Sequence, residues 1–145
     1  MKIKKTIIVL LLCFLPVAPS FAQKVGEALS AWKEGYMDIH HINTGCGECA
    51  YIIFPDGTTM LVDAGENKAD NPRHVLPKPN AGRTPGEWIV DYIQAMAPDQ
   101  NQKLDYALIT HFHSDHMGGV FKTKNESGRY YNTGIITVAE NIRIN

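Results

Sequence analysis

Four side chains able to hold a metal ion fall within six residues: His111, His113, Asp115 and His116. They stand directly behind an apolar run of strand length at residues 104–110. In extended backbone, positions i and i+2 face the same side with Cα atoms about 6–7 Å apart. Two imidazoles at that separation can share one ion at about 2.0–2.1 Å per bond. Asp115 continues the alternation and adds an oxygen donor. His116 follows where the chain must turn, so it is free to aim elsewhere, toward a second ion. Gly118 and Gly119 permit that turn and let backbone pack closely beneath it. Histidine with carboxylate suits zinc best, with iron or manganese also within the donor set's range.

What precedes the loop supports an α/β arrangement. Thr84 can cap a helix, Pro85 suits its first position, and Glu87 completes a capping box. Trp88, Ile89, Tyr92, Ile93 and Met96 then form an apolar stripe at helical spacing, and Pro98 ends it. Helix, strand and loaded loop in that order is how α/β folds place chemistry at the carboxyl ends of strands. Earlier still, residues 37–43, 50–54 and 59–62 read as three strands joined by turns at 44–47 and 55–58. This is a β-meander whose third strand delivers Asp63 to the sheet's edge. Asp63 is either a plain turn residue or a hydrogen-bond partner that orients a ligand histidine.

Several segments stay open on sequence alone. Val25, Ala28, Leu29 and Trp32 are spaced like one face of a short helix, or belong to a leader into the fold. His40 and His41 sit in a strand with one facing each way, an ordinary strand pair. Residues 66–83 hold three prolines and several basic side chains, fitting a solvated insertion or a basic rim that receives anionic substrates. Residues 135–144 suit helix or strand.

The chain has 145 residues, 20% charged and 44% apolar, with net charge −1, the composition of one ordinary globular domain. No stable nucleic-acid complex is expected from that balance. Residues 1–22 read as a secretory signal: Lys2, Lys4 and Lys5, an apolar core, then Ser20-Phe21-Ala22 before the cut. The apolar run is shorter than the ~20 residues that span a bilayer, so no membrane anchor survives cleavage. The expected product is an exported domain, 23–145, periplasmic or secreted. Losing three lysines and no acid leaves 11 basic against 15 acidic residues, net −4. It also leaves Cys46 and Cys49, which in an oxidising compartment are core cysteines, a disulfide or a redox pair.

Taken together, Thr58-Thr59-Met60-Leu61-Val62-Asp63-Ala64-Gly65 and Thr110-His111-x-His113-x-Asp115-His116-x-Gly118-Gly119 resemble the metallo-β-lactamase superfamily. The Gly45-Cys46-Gly47-Glu48 turn and Pro55-Asp56-Gly57 are similar, more weakly, to the hydrolase domain of bacterial DNA-uptake channel proteins. The resemblance implies an αβ/βα sandwich with metals at one edge between two sheets. It implies that His111 and His113 bind the first of two zinc ions, and Asp115 and His116 the second. A metal-bound hydroxide, oriented by Asp115, would attack an ester, amide or phosphodiester of a small-molecule or phosphodiester substrate. The family takes a further histidine, an aspartate and a last histidine from its second half. No His follows His116 here and no Asp follows Asp115. The expectation is therefore the amino-terminal half of the sandwich, inactive alone, its sheet uncovered on one face and edge. A truncated, non-catalytic metal-binding or interaction protein is the alternative.

Overall fold

Three short strands run antiparallel in sequence order and a fourth joins them in parallel. The computed structural model describes residues 25–45, 47–66, 75–76, 78–98, 102–118, 120–124 and 130–145, with backbone alone for 120–124 and 130–132. The signal segment, Cys46, Gly119 and residues 67–74 lie outside that set. The chain divides into two compact units, Met1–Ser30 and Ala31–Asn145. In the first, the described residues begin as a turn, with Val25 fully exposed and no helix. The helical spacing of Val25, Ala28 and Leu29 therefore produces no helix. Trp32, in the second unit, packs against the core.

Strands β1 (Asp38–His41), β2 (Ala50–Ile53) and β3 (Thr59–Val62) form the meander, and β4 (Tyr106–Leu108) pairs parallel with β3. The register puts Tyr51 beside His40 and Leu61, and Ile52 beside Ile39 and Met60. Side chains alternate between faces, so Tyr51, Ile53 and Leu61 all turn inward and are buried. His40 and His41 face opposite ways, as expected. The first strand is shorter than residues 37–43, and the fourth is shorter than 104–110. Leu104 instead makes an isolated parallel bridge to Ile144.

Helix α1 (Pro85–Met96) covers the inner face through Ile89, Val90 and Ile93. Burying each such side chain contributes about 1.5–3 kcal/mol. Its capping box forms: Glu87 N–H donates to Thr84 Oγ1 at 3.3 Å, and Thr84 N–H to Glu87 Oε2 at 2.8 Å. The helix stops at Ala97, whose ψ of 136° is the extended geometry that a following proline imposes. Trp88 lies at the rim rather than in the core: its indole N–H donates to Asn80 O, and Arg83 stacks over its ring. A second short sheet pairs β5 (Val120–Lys124) with β6 (Tyr130–Asn132). Residues 135–144 resolve into helix α3 (Ile135–Asn141) followed by extended backbone, and Val138 and Ile142 complete the core. The result is an α+β arrangement around a mixed four-stranded sheet.

The opposite face of that sheet carries Ile39, Ile52, Met60 and Tyr106 in one row and Val62 and Leu108 in the next. Ile39, Tyr106 and Leu108 are half or more exposed. Among the described residues no helix is long and apolar enough to cross a membrane.

Candidate metal centre

Because β3 and β4 are parallel, the chain leaves both at the same end of the sheet, and β2 begins there. Residues 44–45, 47–49, 63–66 and 109–118 thus meet at one edge. His111 and His113 follow β4 and are exposed. At His113 the backbone is still extended, φ −80° and ψ 152°, and then turns into helix α2 (Ser114–Met117). Asp115 therefore does not continue the strand alternation, as its spacing had suggested. It reaches the site from the first turn of a helix four residues long. Gly118 ends that turn with φ 72°, in the left-handed region that favours glycine.

Among the described residues, only Ser114 O of this four-residue helix finds a local donor, Gly118 N–H at 2.9 Å, and neighbouring turns supply further partners. Glu48 N–H donates to Asp115 O, Ala64 N–H to His116 O and Glu66 N–H to Ser114 O, each at 2.8 Å. Gly65 N–H in turn donates to Glu48 O at 2.9 Å. Main-chain bonds thus stitch the Ser114–Met117 turn to the segments flanking β2 and β3, and these bonds do not depend on which side chains the turn carries.

The donor atoms of His111, His113 and Asp115 all lie within 4.8 Å of one another. The His111 ring stands 4.7 Å from that of His113 and 3.8 Å from that of His116. His116 Nδ1 lies 2.8 Å from Asp63 Oδ2, and its Nε2 is 4.0 Å from Asp115 Oδ2. An ionised carboxylate only accepts, so His116 donates from Nδ1, and the neutral ring in that tautomer offers its Nε2 lone pair to a metal. Thr110 extends the same logic. Its hydroxyl donates to Asp63 Oδ2 at 2.7 Å, so toward His111 Nδ1, 3.2 Å away, it can only accept. The neutral His111 ring in the matching tautomer offers its lone pair at Nε2. Two imidazole nitrogens and a carboxylate oxygen gathered at this separation fit a divalent metal ion.

Asp63 holds the arrangement from beneath. It is 3% exposed and adopts φ 58°, a left-handed conformation that aspartate tolerates better than most residues. Burial alone would push its carboxyl up. Hydrogen bonds from His116, from Thr110 N–H and from the Thr110 hydroxyl outweigh burial and hold it below its ordinary value. Of the expected site residues, His111, His113 and Asp115 come together as one donor cluster. His116 borders it and Asp63 sits behind His116.

Thr110 has no role assigned from sequence, although it opens the Thr110–Gly119 motif; its place one residue before the first histidine is the signal that identifies it. Glu48 acts only through its backbone, which no side-chain pattern marks. Of the basic side chains at 66–83, Arg83 is engaged with Asp91 at 3.0 Å. Lys78 lines a cavity of about 400 Å³ with His41, Trp88, Asp91 and Tyr92. Cys49 is buried, and burial, with Asp63 and Glu48 nearby, pushes its thiol up to about 12. That thiol is a core group and not a thiolate nucleophile. Pairing with Cys46 lies outside the described residues.

A family model described as the metallo-beta-lactamase superfamily matches residues 43–128, more than half of the chain. No curated protein and no solved structure matches it. The matched segment opens just after β1 and runs past α2, so that Asp63, Thr110 and the whole His111–His116 turn lie inside it, and on that match the chain belongs to the metallo-beta-lactamase superfamily.

Proposed function

We propose that this chain is part of an exported metal-dependent hydrolase, periplasmic or secreted, whose active centre is completed by a further half of the sandwich. The convergence of the His111, His113 and Asp115 donor atoms within 4.8 Å carries the reading. His111 and His113 would hold one ion. Asp115 stands within reach of that pair and 4.0 Å from His116 Nε2, which suits a second ion shared with His116. Zinc is the first choice for this donor set, with iron or manganese as substitutes. Bound metal would supply Lewis acidity toward a scissile ester, amide or phosphodiester and an acidified water near neutral pH. The chain's own contribution is to set imidazole tautomers through Thr110 and Asp63 and to orient the nucleophile through Asp115. Exposed Ile39, Tyr106 and Leu108 on the outer sheet face support a covering half, because apolar surface of that kind is ordinarily buried against another layer. Small-molecule or phosphodiester substrates fit this chemistry, with neither a stable nucleic-acid complex nor a membrane anchor required.

To test the reading, the full chain is stripped with a chelator and reloaded with zinc or cobalt. It is then screened, alone and with any in-frame continuation of its gene, against phosphodiester, lactone, thioester and β-lactam substrates. Stoichiometric uptake, with hydrolysis lost on chelation and in His113→Ala, supports it. A folded chain that takes up no metal sinks it. Stoichiometric uptake without hydrolysis in either form would favour the second reading, a non-catalytic metal-binding protein, to which the exposure of His111 and His113 lends some support.

A further inference from the structure

Glu66 is a carboxylate with 6% exposure, standing one residue beyond the Asp63-Ala64-Gly65 turn. Its burial has a specific geometry. Gly86 N–H donates to Glu66 Oε2 at 3.3 Å, and Gly134 N–H also donates to the carboxylate. Gly86 is the second residue of α1, where a backbone N–H has no partner inside the helix. The other donors of that first turn are accounted for: Pro85 has none, while Glu87 and Trp88 donate to Thr84. Gly134 is the residue on which α3 begins. At its other end Glu66 N–H donates to Ser114 O at 2.8 Å, the first residue of the metal-bearing turn. One residue thus ties the starts of two helices to the segment carrying Asp115 and His116.

We propose that Glu66 is a positioning residue for the metal centre, its side chain anchored on α1 and α3 and its main chain holding the Ser114–Met117 turn at the height where Asp115 and His116 meet the exposed histidines. The geometry separates this role from plain helix capping. A cap is satisfied by the side chain alone, whereas here the same residue's backbone fixes the turn. Burial pushes the Glu66 carboxyl above its ordinary range and the two N–H donors draw it back, so the group is retained against a desolvation cost. Positioning of a metal centre rests on the metal reading above; positioning of the turn does not.

The test uses the full chain with Glu66→Ala and Glu66→Gln. Glutamine keeps the volume but offers one acceptor oxygen in place of two. Two readouts are taken: amide hydrogen exchange at His116, Met117 and Gly118 in the metal-free chain, and cobalt affinity with its visible spectrum. Glu66→Ala is expected to speed exchange at those three amides about tenfold or more and to weaken cobalt binding ten- to a hundredfold, with an altered spectrum. Glu66→Gln should fall between alanine and the parent, and carries the test if alanine does not fold. A folded variant with parent-like exchange at 116–118 and parent-like cobalt binding overturns the proposal, even if its melting point drops, because that pattern is a helix cap and nothing more. A parent chain that binds no cobalt, while the variants still loosen 116–118, rejects the metal reading and retains Glu66 as the strut of the turn.

Discussion

Asp63 Oδ2 lies 2.8 Å from His116 Nδ1, and the contact joins a buried carboxylate to the imidazole nitrogen that faces away from the donor cluster. Asparagine at 63 keeps the shape and tolerates the left-handed φ of 58°, so Asp63→Asn tests the charge without straining the backbone. It removes one acceptor oxygen and can present an N–H toward an N–H. The expected outcome is a ten- to hundredfold loss of metal affinity with the fold retained. Cobalt titration beside a thermal melt separates the two effects. Unchanged affinity would show that His116 needs no carboxylate behind it.

Thr110 is the second control on those tautomers. Its hydroxyl serves Asp63, His111 and, at 3.3 Å, His116. Thr110→Val keeps the volume and deletes every one of these bonds, leaving the buried Asp63 oxygen short of a donor. The expected cost is about 1–3 kcal/mol in denaturant unfolding, with weakened metal binding. Thr110→Ser retains the hydroxyl and should stay close to the parent in both measurements. Equal behaviour of valine and serine would refute the role.

These contacts show where sequence was legible. The helix at 85–96 could be read because its cap, proline and glutamate are local, each within three residues of the next. The third strand and its aspartate could be read because alternation and turn residues coincide at 59–65. Asp115 was assigned to extended backbone because a four-residue helix is too short to show a period, and its stability comes from the Glu48, Ala64 and Glu66 amides. Glu66 was invisible for the same reason: its partners stand 20 residues away at Gly86 and farther still at Gly134. Val25, Ala28 and Leu29, open on sequence between a helix face and a leader into the fold, form no helix. Their spacing is helical, but periodicity without a face to bury does not hold a helix in water.

Gly65 faces the backbone of the His111–His116 loop with no room for a side chain. A Cβ there would fall inside contact distance of the Asp115 carbonyl and lie 2.9 Å from Glu48 N, both main-chain atoms that cannot swing aside. Gly65→Ala should therefore displace the turn at Asp115 and destabilise by about 3 kcal/mol or more, or prevent folding. Gly82→Ala serves as the comparison, since its new methyl meets only the Asn80 side chain, which can move. A urea midpoint for Gly65→Ala equal to that of Gly82→Ala would show that the loops are not in the stated contact.

Asp105 supplies the pH dependence at the far end of the sheet. Its Oδ1 accepts from Lys103 Nζ at 2.9 Å, and its Oδ2 accepts from Thr59 N–H at 2.9 Å and from the Thr59 hydroxyl at 3.1 Å. The Lys103 bond first, then the Thr59 bonds, bring its carboxyl down to about 2 from an ordinary 3.8. A depressed carboxyl stabilises the folded form above its unfolded value and loses that contribution as pH falls through the folded one. Here the window runs from about 4 down to about 2. The side chain is 23% exposed, so with solvent screening the contribution is of order 1 kcal/mol. Asp105→Asn should lower stability at pH 7 by that amount and flatten the fall in stability between pH 4 and 2. It leaves the parallel β3–β4 register with one oxygen acceptor where it had two. Urea unfolding of parent and variant at pH 7, 4 and 2.5 checks this: curves that stay parallel across the range would show that the Lys103–Asp105–Thr59 bonds do not govern acid stability.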